Sequence, residues 1–403
     1  MRLRDLGLER TPVCCYTLDI EPSAEANVPQ GEPPMKKRLF AIDAVRGWVM
    51  IFMALDHALL FTYYHISAEL FQGRGPEPMP DTLHYLTRFI THYCAPTFIF
   101  LAGLSIALYA LSCRFRGLSE GQITCKLVTR GLLLIALKLT VVNFIWGFGS
   151  KSSGGSLAYF GVLACIGSGM VILAFARRLP LPVLAGGSLL LLLVMPLLLS
   201  AFPLLPGGDQ PLLETLLQPS DQGWLTVFYP ILPWLGVMGL GCACGYFIGE
   251  RPEPTTKLFL ALGALLLAAW LPVRLAGAYG NLIPYQGGDW RDFLLMSKYP
   301  PSLAFLTWTL GGMSLALAVH SRLENRLSST RFFGIVRLFG QTPLFFYVVH
   351  LQLYKLLSLI PLLRGNLPAS YLTWLIGLAL LIPLCAGFHA LKQRYPSSVL
   401  QYL

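Results

Sequence analysis

Charge is what this chain has least of. Asp, Glu, Lys and Arg make up 12% of its 403 residues, about half the ~25% usual in soluble domains. That shortage argues against a soluble enzyme and against a disordered protein. The nine cysteines are odd in number and sit mostly in apolar runs. A secreted disulfide scaffold is therefore excluded, and unpaired thiols in packed helices are expected. There is no His-Glu-x-x-His motif and no zinc-type cysteine spacing, so no metal is expected. The start of the chain lacks an apolar core of the kind a cleavable signal peptide needs. Residues 1–35 include PSAEANVPQGEPP, which is Pro-rich, acidic and free of aromatics. This tail reads as disordered. Met35, followed by Lys-Lys-Arg, offers an alternative start that would leave the tail untranslated. Residues 36–403 then form one membrane domain, with no soluble domain and no evident internal repeat.

What is present is apolar. Hydrophobic residues reach 55% and mean hydropathy is +0.61. A helix needs roughly 20 apolar residues to cross a membrane. Ten such runs occur, near 43–63, 93–112, 127–147, 157–176, 181–201, 226–248, 257–273, 302–320, 338–360 and 370–390. The expected fold is all-α, a polytopic integral membrane protein of about ten transmembrane helices. Of the thirty Lys and Arg residues, eighteen fall in the loops and flanks assigned to one side and seven to the other. Positive charge marks the cytoplasmic side, so both termini are expected there, in the cell (inner) membrane. The net charge of +10 is thus an orientation signal rather than a nucleic-acid patch.

In such a chain the ionisable residues inside apolar runs are the informative ones. The first run, AIDAVRGWVMIFMALDHALLF, holds Asp43, Arg46, Asp56 and His57. Arg46 and His57 are eleven residues apart, within about 20° on a helix and separated by about 16 Å. Asp43 shares their face, whereas Asp56 points about 100° away from His57 and no third member of a triad is identifiable. One stripe thus links a cation near the cytoplasmic end to a deeper imidazole. Asp43 and Arg46 are either an interfacial pair or part of a docking site for an anionic donor. Further candidates follow along the chain. His84 and His92 (in THYCAP) are read as acceptor-site or loop-bonding residues, and His65 with Glu69 as a solvated pair. Lys138, eight residues past Arg130, either snorkels or meets donor phosphates. Lys298 and Tyr299, before Pro300-Pro301, either contact an acceptor with Asp289, Trp290 and Arg291 or anchor the interface. His350 has Tyr347 and Tyr354 on its face and either lines a cavity or bonds a neighbouring helix. Gly241, Gly245 and Gly249 read as a close helix-packing stripe.

The D-x-x-R-G start with His eleven residues after the Arg resembles the first helix of acyltransferase-3-type membrane enzymes. The blocks RFITHYCAPTFIFLAG (88–103), RGLLLIALKLTVVNFIWGF (130–148), YPILPWLGVMGLGCACGYFIG (229–249), KYPPSLAFLTWTLG (298–311) and FGQTPLFFYVVHLQL (339–353) are closer to a sister group. They resemble the heparan-α-glucosaminide N-acetyltransferase-like family of bacterial membrane proteins. The resemblance implies transfer of an acetyl or other short acyl group from cytoplasmic acyl-CoA to a sugar or glycan acceptor on the far side. Arg46, Arg130 and Lys138 would meet the donor. Asp43, His84, Lys298, Tyr299, Tyr347 and His350 would meet substrate. The catalytic histidine is His57, or else His84 or His92, since the lysosomal heparan enzyme places its histidine in the following lumenal segment. Expected partners are acyl-CoA, a glycan-type acceptor and membrane lipid. Homo-oligomerisation is compatible with the composition, and nucleic acid is not expected. The alternative is a transporter or flippase of a lipid-linked or small solute, using the same polar residues for gating.

Overall fold

The computed structural model describes residues 39–63, 79–147, 156–202, 210–221, 223–251, 255–395, 398 and 400. The 1–35 tail, His65 and Glu69 lie outside them. Helix α1 is Leu39–Thr62, α2 Thr82–Thr91 and α3 Cys94–Phe115, the last two running on as a 34-residue span with a break at His92 and Tyr93. Next come α4 (Glu120–Leu137), a π-helical turn (Lys138–Val142) and α5 (Asn143–Trp146), then strand β1 (Ala158–Phe160), α6 (Val162–Ala176) and α7 (Leu181–Ala201). A short α8 (Pro211–Leu216) and strand β2 (Leu225–Val227) lead into α9 (Ile231–Glu250) and α10 (Thr255–Ala276). The remainder is α11 (Trp290–Leu294), α12 (Leu303–Arg322), α13 (Glu324–Leu327), α14 (Arg331–Gln341), α15 (Pro343–Leu357) and α16 (Leu367–Arg394). Helices dominate because a backbone in hydrocarbon must satisfy its own N–H and C=O groups.

Among the described residues, eight helices are long and apolar enough to cross a membrane, and a bent ninth pair qualifies as a unit. The protein is a multi-pass, all-α membrane protein. Two expected spans take other forms. The 338–360 run is α14 and α15, bent by 93°. Pro343 has no N–H to continue the ladder, and the Thr342 hydroxyl donates back to the Leu338 carbonyl at 2.9 Å, so the helix breaks there. The 157–176 run is helical only over the fifteen residues of α6, about 22 Å long and short of a ~30 Å core. Its first residues instead form β1, which pairs in parallel with β2, Tyr159 opposite Thr226. Seven of the cysteines are free thiols in the described part, five of them buried.

Helix pairs close on glycine. A Cβ on Gly241 of α9 would stand 2.0 Å from the Phe100 carbonyl oxygen of α3, and one on Gly103 of α3 would stand 1.8 Å from the Met238 carbonyl oxygen of α9. The backbones of α3 and α9 therefore touch, as the small-residue stripe of α9 leads one to expect.

One buried cation organises the connection between α10 and α12. Arg274 is 1% exposed. It donates to the carbonyls of Phe293 (2.7 Å), Ile283 (2.6 Å) and Asp292 (2.8 Å) and to Asn281 Oδ1 (3.0 Å). No carboxylate is needed, because a guanidinium can serve several oxygens at once. Arg274→Met strands these acceptors. It is expected to cost about 2–4 kcal/mol, seen as a lower Tm and as proteolysis within 277–296.

Candidate active site

His57 lies on α1 about 21 Å from Asp43 by helical rise and five residues from the Thr62 end. Its Nδ1 is 2.7 Å from Nε2 of His350, on α15 and 293 residues away. His350 is fully buried, and its Nδ1 is 2.8 Å from the Phe346 carbonyl oxygen. A carbonyl only accepts, so His350 Nδ1 carries a proton. In the neutral pair, His350 Nε2 is then a lone pair, and His57 Nδ1 donates to it. The proton order runs from the Phe346 carbonyl to His57 and leaves His57 Nε2 as a base. The partner of His57 that sequence reasoning could not find is therefore an imidazole from a distant helix.

Asp56, beside His57 in sequence, serves another partner. Its Oδ1 accepts from Arg88 Nη1 (2.9 Å) and the Thr91 hydroxyl (2.8 Å), both from α2. Arg88 is 4% exposed, and this ion pair fastens α2 to α1. Lys298 adds positive charge in electrostatic range of Asp56. Lys298 and Tyr299 are buried, at 3% and 9% exposure, so they are not interfacial anchors. The Lys298 ammonium stands 5.1 Å from the Tyr299 ring centre, and Tyr299 Oη is 3.2 Å from Tyr229 Oη. The exposed turn before them is separate. There Arg291 pairs with Asp289 at 2.6 Å, and the Arg291 side chain, then its backbone N–H, holds the Asp289 carboxyl below the usual range.

Aromatic rings connect His57 to Lys298. The Trp146 ring meets His57 edge-on at 5.6 Å and Tyr159 at 6.2 Å. Tyr159 meets Phe228 at 5.4 Å, and Phe228 meets Tyr299 at 5.3 Å. Tyr347 lies against His350 at 5.7 Å. The β1–β2 ribbon explains this assembly, since it places Tyr159 and, one residue past β2, Phe228 together. Tyr354 meets His350 from the other side, ring centres 6.1 Å apart, while its hydroxyl donates to the Trp374 carbonyl at 3.0 Å.

The remaining candidates are spread over the bundle. Lys138 is fully buried and does not snorkel. It opens the π-helical turn, donates to Asn143 Oδ1 and stands 3.9 Å from the Tyr159 ring centre. His92 caps α2 and packs against Phe89 and Phe305, at 6.0 and 5.7 Å. His84 Nδ1 lies 2.9 Å from Asp81 Oδ1. Asp81 caps α2, and the His84 backbone N–H, then its ring, keeps that carboxyl below its ordinary range. Arg46 donates to Asp43 (3.1 Å), the Gly340 carbonyl (3.0 Å) and Ser105 Oγ (3.0 Å). It thus ties α1 to α3 and to α14, while Gln341 donates to the other Asp43 oxygen at 3.2 Å. Arg130 is half-buried on α4.

A sequence profile described as heparan-alpha-glucosaminide N-acetyltransferase, catalytic, matches residues 38–271. The chain belongs to this family. No curated protein matches it. It is thus a membrane enzyme of the acetyltransferase type. The match spans His57, Arg88, His92, Lys138 and Trp146, whereas Lys298 and His350 lie beyond it. Sequence reasoning passed over Trp146, Tyr159, Phe228 and the Asp56–Arg88 pair. Only the last left a signal, because an intramembrane carboxylate calls for a cation.

Proposed function

We propose that this enzyme moves an acetyl or other short acyl group from acyl-CoA, docked at the cytoplasmic end, to a sugar or glycan acceptor at the opposite end. The observation that carries the proposal is the Phe346–His350–His57 proton order, which leaves a base near the Thr62 end of α1. His57 Nε2 takes the proton of the acceptor hydroxyl or amine as it attacks the thioester, then returns a proton to the leaving sulfur. The apolar surroundings exclude water and favour transfer over hydrolysis. Around the acceptor, the rings of Tyr159, Phe228, Tyr299 and Tyr347 suit the apolar face of a sugar, and Lys298 suits its oxygens. His84 and His92 belong to the approach on α2. The charge asymmetry of the loops supports cytoplasmic termini and an inner-membrane location.

At the basic end, Arg130 is the better candidate for donor phosphates, whereas Lys138, buried against Tyr159, lies with the acceptor-side rings. Arg46 already serves three oxygens, so its first duty is to hold α1. Arg130→Ala is expected to raise the acetyl-CoA KM about tenfold, the loss of one charge-assisted contact, with kcat little changed. Arg46→Ala is expected to lower the Tm instead. An unchanged donor KM in Arg130→Ala removes the phosphate role from that residue.

The test of the whole proposal is radiolabelled acetyl-CoA offered to the purified protein with a panel of sugar acceptors. Acceptor-dependent release of CoA supports it. No release, together with no CoA binding by calorimetry, overturns it.

A further inference from the structure

We infer that Trp146 donates, through its indole N–H, the hydrogen bond that holds the acyl carbonyl oxygen during transfer. The inference rests on the reading of His57 as base, and it assigns the site a second reacting group. Trp146 closes α5, and its ring stands edge-on to His57 at 77°. An indole N–H can only donate. In Trp146 the Nε1 atom is buried and meets no acceptor among the described residues. Leaving such a donor unmatched costs about 1–3 kcal/mol, so the position calls for an explanation beyond packing.

The ring is also well held. Phe61 packs on it with centroids 5.6 Å apart, and Tyr159 closes another side. The backbone just before it is pinned, because Lys355 Nζ donates to the Ile145 carbonyl at 2.5 Å. The π-helical turn of Lys138–Val142 precedes α5 directly and shifts the helix register, a device common at functional sites. A rigid donor beside a base is the pairing that acyl transfer requires.

The step balances as follows. The acceptor heteroatom forms a bond to the thioester carbonyl carbon while its proton passes to His57 Nε2. The carbonyl π pair moves onto oxygen, giving the tetrahedral oxyanion that the Trp146 N–H faces. Collapse restores the carbonyl and breaks the carbon–sulfur bond. The departing thiolate takes the proton from His57, releasing free CoA and acetylated acceptor with no redox change. The hydrogen bond from the indole strengthens as the oxygen gains charge, so it favours the intermediate over the bound thioester.

Two variants test this, Trp146→Phe and Trp146→benzothienylalanine, the second keeping the ring shape with sulfur in place of N–H. With radiolabelled acetyl-CoA and glucosamine or glucose as acceptor, kcat is expected to fall about 100-fold in both. The acetyl-CoA KM should change little, and the loss of rate in acid should persist because His57 is intact. Wild-type kcat in the benzothienylalanine protein overturns the inference while leaving His57 as base. A wild-type protein inert with every acceptor overturns the functional reading and this inference together.

Discussion

His57→Ala is expected to lower kcat by about 10²–10⁴-fold, the range for loss of a general base, while calorimetry still shows CoA binding. The wild-type rate should fall in acid as the imidazole gains a proton, since only the neutral ring can accept one. In His57→Ala that dependence should vanish from the residual rate. His350 acts through His57. His350→Ala removes the acceptor for His57 Nδ1–H and should slow transfer by a smaller factor. His350→Asn, which can present an amide oxygen to the same N–H, should restore part of the rate. A merely structural His350 would show no such rescue. Should His57→Ala remain fully active while His92→Ala fails, the base is His92 and the imidazole pair belongs to packing.

Gly241→Val carries the largest expected effect on folding. Its first added carbon would stand 2.0 Å from the Phe100 carbonyl oxygen, a contact that no rotamer relieves because the obstacle is backbone. Helix α9 must move off α3, and the cost is expected to reach about 3 kcal/mol or more. Thermal unfolding in detergent should show a lower Tm and a poor yield of monodisperse protein. Gly186→Ala, in α7 with nothing within 4 Å of the added carbon, is the control. It should be neutral or mildly stabilising, since alanine is the better helix former. Equal stability of the two variants would mean that α3 and α9 are not closely packed.

Several elements were legible in the residues alone because their cause is local. Apolar length alone marks a membrane helix, and nearly all the expected spans are present as helices. The stripe of Gly241, Gly245 and Gly249 announced close packing, since a missing side chain has meaning without its partner. His57 stood out because a titratable group in an apolar run is costly. Lys138 stood out for the same reason, yet its destination did not, because a charged chain in a helix can reach either way. The bend at Thr342 and Pro343 was signalled by the proline but hidden by the apolar run on both sides. The β1–β2 ribbon was hidden too, because three-residue strands have no periodicity to read.

Charge, hydropathy and spacing therefore determined that this is a polytopic membrane protein and which polar residues merit testing. The fold decided what those residues do. It set His350 against His57 across 293 residues, gave Asp56 to Arg88, and drew Arg46 into a three-helix tie. It also lined up Trp146, Tyr159, Phe228 and Tyr299 in a chain of rings that starts at the histidine. These are contacts between distant segments, fixed by which helices pack together and at what depth. Single-helix geometry relates residues three, four or eleven apart, but it carries no information about the facing helix.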